Sequence, residues 1–401
     1  MAWFNPTTWF NKPNLNTYFN NNIIGQTDTP VWIEVDKGKA QYIYENIPHV
    51  RIVIDTLASM FANANVIITD LNGDAIENQE QNEYYKLLQN PNPSQSREEF
   101  LSQLFIYQAL YGTAFNNKIG LANSTPRVMW NLPSQYMEVL LTGKIFKQVD
   151  LNDIIKGYKL DFENGTVENF ETDEVLMRST PSPENPIIGT SKLKSLQKPI
   201  SNIHAVLSKS NMILNRMGAI GILSNENSKD GMGALPMNPT EKKRIHDEYQ
   251  KNYGSDYGKM SLIISEANLK WQSMSYPTKD LMLFEELESD FSQIIAMYGA
   301  DRDLFPSTKG ATFENKNEAQ RSTYQNTIIP YANDYAKAVT EFIGAKDSGF
   351  KVTFDYSHLE VLQENEKERS EVLLNKTKAI NVLMANGFNN EANELAESLN
   401  K

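Results

Sequence analysis

The stretch GTSKLKSLQKPISNIHAVLSKSNMILNRM (residues 189–217) decides how the rest of the chain is read. Leu193, Leu196, Ile200, Ile203, Leu207, Leu214 and Met217 recur at steps of three, four and seven, which places them on one side of an α-helix. One long helix is therefore expected over roughly 190–217; about 28 residues at about 1.5 Å each would reach roughly 40 Å. Pro199 is expected to bend it. The stretch also holds Lys192, Lys194, Lys198, Lys209 and Arg216 and no acidic residue, although the whole chain carries a formal charge of −12. A helix of this kind is either a solvated face or a place for discrete phosphate contacts.

Working upstream, Ser-Thr-Pro-Ser-Pro-Glu-Asn-Pro (179–186) separates this helix from an α+β region. Residues 31–36 alternate like a strand. Ile43, Ile47, Val50, Ile54, Leu57 and Phe61 then form a helical stripe, with Pro48 either kinking it or opening its main part. Residues 65–69 read as a strand and Asn72-Gly73 as a turn. Ser96 with Glu99 is a capping box for a helix carrying Phe100, Leu104, Tyr107 and Tyr111 and stopping near Gly112. Short strands and turns follow to about 178, with Asn164-Gly165 between two alternating runs.

Downstream, residues 218–276 read as a small α/β insert. It opens with Gly-Ala-Ile-Gly-Ile-Leu (218–223), has a helix starting near Thr240, and has strands at 260–265 and 269–273. A second amphipathic helix is expected over about 278–298, with Phe284, Leu287, Phe291, Ile294 and Tyr298 on its apolar side. The segment 299–314 breaks the helical pattern. Another long helix runs to about Ile343, with Tyr324, Ile328, Tyr331, Tyr335 and Phe342 in register and a kink expected at Pro330. Phe350, Val352, Phe354 and Tyr356 alternate as a half-buried strand. The last 40 or so residues read as charged helix, broken at Asn386-Gly387.

Several kinds of chemistry find no support. With no cysteine, disulfides and thiolate metal sites are excluded, and His49, His204, His246 and His358 stand too far apart for a zinc motif. Residues 189–192 and 307–310 lack the pattern of a phosphate loop, and Gly231-Met232-Gly233 lacks that of a dinucleotide fingerprint. No Gly-x-Ser-x-Gly elbow occurs. Glu285, Glu286, Glu288 and Asp290 are spread around one helix and read as a solvated face. No signal peptide and no run of 18 apolar residues is visible. The expectation is a protein that is not an enzyme and needs no cofactor.

The order of elements, with several local phrases, resembles the portal protein family of tailed bacteriophages over roughly 30–390. Leu87-Leu88-Gln89-Asn90-Pro91-Asn92-Pro93, then Ser96, Phe100 and Leu110-Tyr111-Gly112-Thr113-Ala114-Phe115, is similar to one of its regions. Asp173-Glu174-Val175-Leu176-Met177-Arg178 resembles the phrase before its stem, although many members have histidine where Met177 stands. Gly189-Thr190-Ser191-Lys192-Leu193 resembles the start of the first stem helix. Lys279-Asp280, Glu285, the run 294–299 and Leu304-Phe305 resemble the second stem helix and the tunnel loop, and Ile328-Ile329-Pro330 a phrase in the helix after that loop.

The resemblance implies an N-terminal arm (1–29), a wing (30–189 and 315–356), stem helices (190–217 and 277–298), a small α/β clip (218–276), a tunnel loop (299–314) and a short crown-like helical tail (357–401). It implies a ring of about twelve subunits at one capsid vertex. Its partners would be double-stranded DNA in the channel, the large terminase subunit, the major capsid or scaffolding protein and a head-completion adaptor, with no membrane. The setting would be the virion, assembled in the host cytoplasm. Arg302, Lys309 and Asp301 become candidate tunnel-loop residues, the five basic residues of 190–217 candidate stem contacts, and Phe284, Leu287, Phe291 and Ile294 stem packing. A structural virion ring or adaptor that never conducts DNA, and an enzyme built on the acidic cluster, stay open as other readings of the same residues.

Overall fold

The computed structural model describes residues 37–120, 125–142, 151–162, 165–183, 185–216, 221–225, 240, 243, 244, 247, 269–273, 283–306 and 312–385. The expected strand at 31–36 and most of the insert between 226 and 268 lie outside them. The chain divides into two units, one made of 1–196 and 294–401, the other of 197–293.

In the first unit the apolar stripe of 43–61 forms two helices, α1 (Lys37–Asn46) and α2 (Pro48–Ala62), which part at Ile47. Pro48 opens α2 at its first position, where a missing N–H loses no helical bond. All six stripe residues are buried. Next come β1 (Asn65–Asp70), α3 (Glu83–Gln89) and α4 (Arg97–Tyr111). The Ser96–Glu99 capping box is present, and Gly112 ends α4 with a left-handed backbone at φ 75°. Leu101, Phe105 and Gln108 share the buried side of α4 with Phe100 and Leu104, while Tyr107 and Tyr111 are only half-buried.

After α4 the strands β2 (Thr113–Ile119), β3 (Val128–Leu132), β4 (Met137–Leu141), β5 (Ile155–Asp161, after the short helix α5, Leu151–Ile154), β6 (Val167–Phe170) and β7 (Val175–Ser179) form two antiparallel sheets, β3-β2-β7 and β4-β5-β6. Phe115, Leu132, Met137, Ile155, Tyr158, Leu160, Val175 and Ile187 close the core between them. Asn131 joins sheet to helix, donating to the Phe100 carbonyl.

The second unit holds α6 (Gln197–Arg216) and the antiparallel pair β8 (Gly221–Asn225) and β9 (Leu269–Ser273), together with the first part of α7 (Leu283–Tyr298), whose last residues belong to the first unit. The expected single helix over 190–217 is shorter than read: 192–196 is a 3₁₀ turn, and α6 proper has 20 residues. Pro199 sits in its first turn and has no carbonyl partner to displace. Val206 is buried where Leu207, 38% exposed, was expected. The acidic cluster is not uniformly solvated either. Glu285 and Glu286 are exposed, but Asp290 is 5% exposed. Its carboxyl is bonded to Asn202 and Gln293, and burial pushes its pKa up.

The first unit closes with α8 (Phe313–Thr323), a π-turn (Tyr324–Ile328), α9 (Ile329–Phe342), β10 (Phe350–Asp355) and α10 (Glu360–Ala385). β10 runs antiparallel to β1, Asn65 facing Asp355, so the two separate stretches of chain that make this unit share one sheet. Above it Phe61 meets Tyr331 edge-on at 4.9 Å, and Tyr335 stacks on Phe354 at 5.7 Å. Such aromatic pairs add about 0.5–1.5 kcal/mol each beyond their burial.

Candidate functional site

The last carbonyls of any α-helix lack partners inside it. In α4 two of them are taken by the segments through which the chain leaves for the second unit and returns. The Ser191 hydroxyl donates to the Leu110 carbonyl at 2.5 Å and accepts from the Leu193 N–H at 3.2 Å. The Tyr298 hydroxyl, at the end of α7, donates to the Ala109 carbonyl at 3.1 Å. Both connectors that flank 197–293 are thus fastened to adjacent peptide groups of α4. Lys192 lies between them, its ammonium 5.4 Å from the centre of the Tyr298 ring. Burial lowers the pKa of Lys192 and raises that of the Tyr298 phenol.

Two phrases noted separately in the sequence meet here. Gly112 and Gly189 bring backbone against backbone. A Cβ on Gly112 would stand 2.5 Å from the Thr190 carbonyl carbon, and one on Gly189 would stand 2.1 Å from the Gly112 oxygen. Thr180 reinforces the contact, its N–H and hydroxyl donating to the Gly112 carbonyl at 2.8 and 2.9 Å. The Gly189 N–H donates to Thr113 Oγ1 at 2.9 Å. Only glycine permits this approach together with the positive φ at Gly112.

Beyond Tyr298, Gly299 turns the chain with φ 77°. Asp301 caps a 3₁₀ turn (Arg302–Leu304), accepting from the Asp303 N–H at 3.0 Å. The Arg302 guanidinium donates to the carbonyls of Phe305 and Pro306 at 3.4 and 3.0 Å. Phe305 is 2% exposed and anchors the segment. The first part of the expected tunnel loop is therefore tied down, and two of its three candidate residues hold it together. Lys309 lies outside the described residues.

The other expected site residues fall in several places. Lys192 and Lys194 belong to the 3₁₀ turn of the first unit, the former half-buried and the latter exposed. Lys198 is exposed at the start of α6, and Lys209 and Arg216 lie farther along it. Phe291 and Ile294 are buried, Leu287 is half-buried, and Phe284 is in the first turn of α7. Ser191 lay within a phrase noted in the sequence but without a role, and Thr323 and Thr327, which bond to the segment leaving α7, were not singled out; a hydroxyl on a helix carries no periodic signal. An open surface depression of about 450 Å³ beside β1 is lined by Ala75, Ile76 and Phe350 as well as by Asp70, Asp74, Glu77 and Asn78. Its Asp70 carboxylate is already occupied by the amides of Asn72, Gly73 and Asp74, which hold its pKa low. Among the described residues no group of three or more His, Cys, Asp or Glu could hold a metal ion, and no helix is long and apolar enough to cross a membrane.

Known proteins resemble this chain over most of its length. The family described as phage portal protein matches residues 48–386. An uncharacterized protein of Rickettsia bellii (strain RML369-C) is 23% identical over 307 residues, 74% of each chain. Among solved structures, the neck of an empty gene transfer agent particle, computed with C6 symmetry, superposes with a TM-score of 0.63 at 18% identity, covering 85% of this chain and 90% of that one. The neck of the native particle, computed with C12 symmetry, gives 0.58 at 18% identity over 92% and 94%. An HK97 family phage portal protein from Corynebacterium diphtheriae gives 0.53 at 11% identity over 80% and 94%. At these identities the likeness of structure is one of fold.

Proposed function

The chain belongs to the phage portal protein family, and from that membership we propose that it is the ring subunit of a portal, forming at one capsid vertex the channel through which the genome is packaged and later ejected. The family is a structural one. The family match over 48–386 carries this reading, and the neck structures of similar fold support a ring set in a particle's neck.

Within it, the excursion 197–293, leaving and returning at adjacent carbonyls of α4, is read as the stem and clip, with α6 and α7 as the stem helices. The rest of 30–189 and 315–356 is the wing, 299–314 the tunnel loop and 357–401 the crown-like tail. The closed ring docks the terminase motor during packaging and a head-completion adaptor afterwards. A ring of about twelve subunits is in keeping with a native neck of similar fold computed with C12 symmetry.

The charge balance suits a conduit. A subunit with a formal charge of −12, repeated around a ring, repels DNA overall. Exposed Lys194 and Lys198, with Lys309, then supply a few salt-sensitive phosphate contacts. Arg302 has donors committed to the carbonyls of Phe305 and Pro306, so its contribution to DNA is secondary.

The test is made in assembling particles. Residues 307–311 are replaced by a Gly/Ser linker, which spares buried Phe305. Rings should still form and enter capsids, while the packaged or retained DNA falls severalfold. Full heads carrying the replacement would remove the tunnel-loop assignment. Heads that package normally with no copy of the chain at any vertex would remove the portal reading and favour a structural ring or adaptor.

A further inference from the structure

The turn Tyr324–Ile328 has hydrogen bonds reaching five residues back, the Ile329 N–H donating to the Tyr324 carbonyl. Pro330 comes immediately after. It has no N–H to extend an α-ladder, and its ring would press on the carbonyl four residues earlier; a widened turn just before it relieves both conflicts. The widening inserts one residue into the helix and so rotates α8 by about 100° relative to α9.

This geometry sets two hydroxyls against the segment that leaves α7. Thr327 Oγ1 donates to the Gly299 carbonyl at 2.5 Å. Thr323 Oγ1 accepts from the Asp301 N–H at 3.1 Å while donating to the Ala319 carbonyl at 2.8 Å. Thr323 is 1% exposed. Gly299 is needed for the fit: its φ is 77°, and a Cβ there would stand 2.7 Å from Thr327 Oγ1. Beyond these bonds the 3₁₀ turn, the Asp301 cap and buried Phe305 continue the same tied segment.

We propose that Thr323 and Thr327, presented by the π-turn that Pro330 imposes, are the positioning residues that fix the path of Gly299–Pro306 at the end of α7. They register the helix of 313–342 with the base of the tunnel loop, so that a shift in that helix moves the loop's point of departure. The role in DNA passage rests on the tunnel-loop reading; the clamp itself does not.

Rings of the full chain carrying Thr327→Ala and Thr327→Ser separate the two. Alanine suits a helix and should leave ring formation and melting temperature close to wild type. Amide hydrogen exchange over 299–306 should rise about ten-fold or more with Thr327→Ala and return towards wild type with Thr327→Ser, which restores the hydroxyl. Unchanged exchange with alanine, or no rescue by serine, overturns the proposal. Faster exchange with unaltered DNA retention in particles upholds the clamp and sinks the tunnel-loop reading. Faster exchange with reduced retention upholds both.

Discussion

Lys192 shows how a charge read from sequence changes meaning once it is packed. In the sequence it is one of five basic residues on an expected helix face. In the fold it lies half-buried over the Tyr298 ring, and burial holds its pKa below the ordinary lysine value. A lysine whose folded pKa is depressed weakens the fold while it is charged. That penalty is complete below the folded pKa and fades as pH climbs towards the unfolded value of about 10.4. Lys192→Met, keeping the length of the side chain, should therefore raise the melting temperature at neutral pH, less the lost contact with the ring. Its advantage over wild type should shrink as pH rises to about 10. Thermal melts of both chains across that range check it; a constant or growing difference would contradict it. Asp290 was hidden for the same kind of reason. Four acidic positions near the start of one helix look solvated until Asn202, on another helix, covers one of them. Local rules, by contrast, were legible: Ser96 with Glu99, and Gly112 as a left-handed stop, act within a single turn of chain.

Among the elements, those whose period is set by one buried face could be read closely. The alternation of 350–356 appears as expected, because a sheet face admits only period two; a strand also stands at 269–273, where it was read. The start of α6 could not be placed, since Leu193 and Leu196, three apart, suit a 3₁₀ turn as well as an α-helix. Pro330 signalled an irregularity, but its form, a π-turn clasping Gly299, depends on threonines that mean nothing until the partner segment is present. The stripe of α7 tests the packing of its element. Phe291 is 6% exposed, so Phe291→Asp places a charge among apolar atoms and removes a large side chain. It should cost about 3 kcal/mol or more and prevent rings from forming, as scored by melting and sedimentation. Soluble rings melting like wild type would show that α7 does not depend on this face.

At the level of the whole molecule, family membership and mixed α/β architecture were legible because they rest on an ordered set of phrases spread over most of the chain. The second unit spans 197–293, against an expected stem and clip of 190–298. The difference is the two connectors, which the sequence groups with the helices they lead into and the fold bolts to α4. The family's ring is the premise beneath every functional statement about those connectors, and it is open to one direct trial. Purified full-length chain should be weighed by native mass measurement and imaged as particles. Closed rings of about twelve subunits around a bore that admits duplex DNA are expected. A chain that remains a single subunit at high concentration, and is absent from the tail-bearing vertex of its particles, would contradict it.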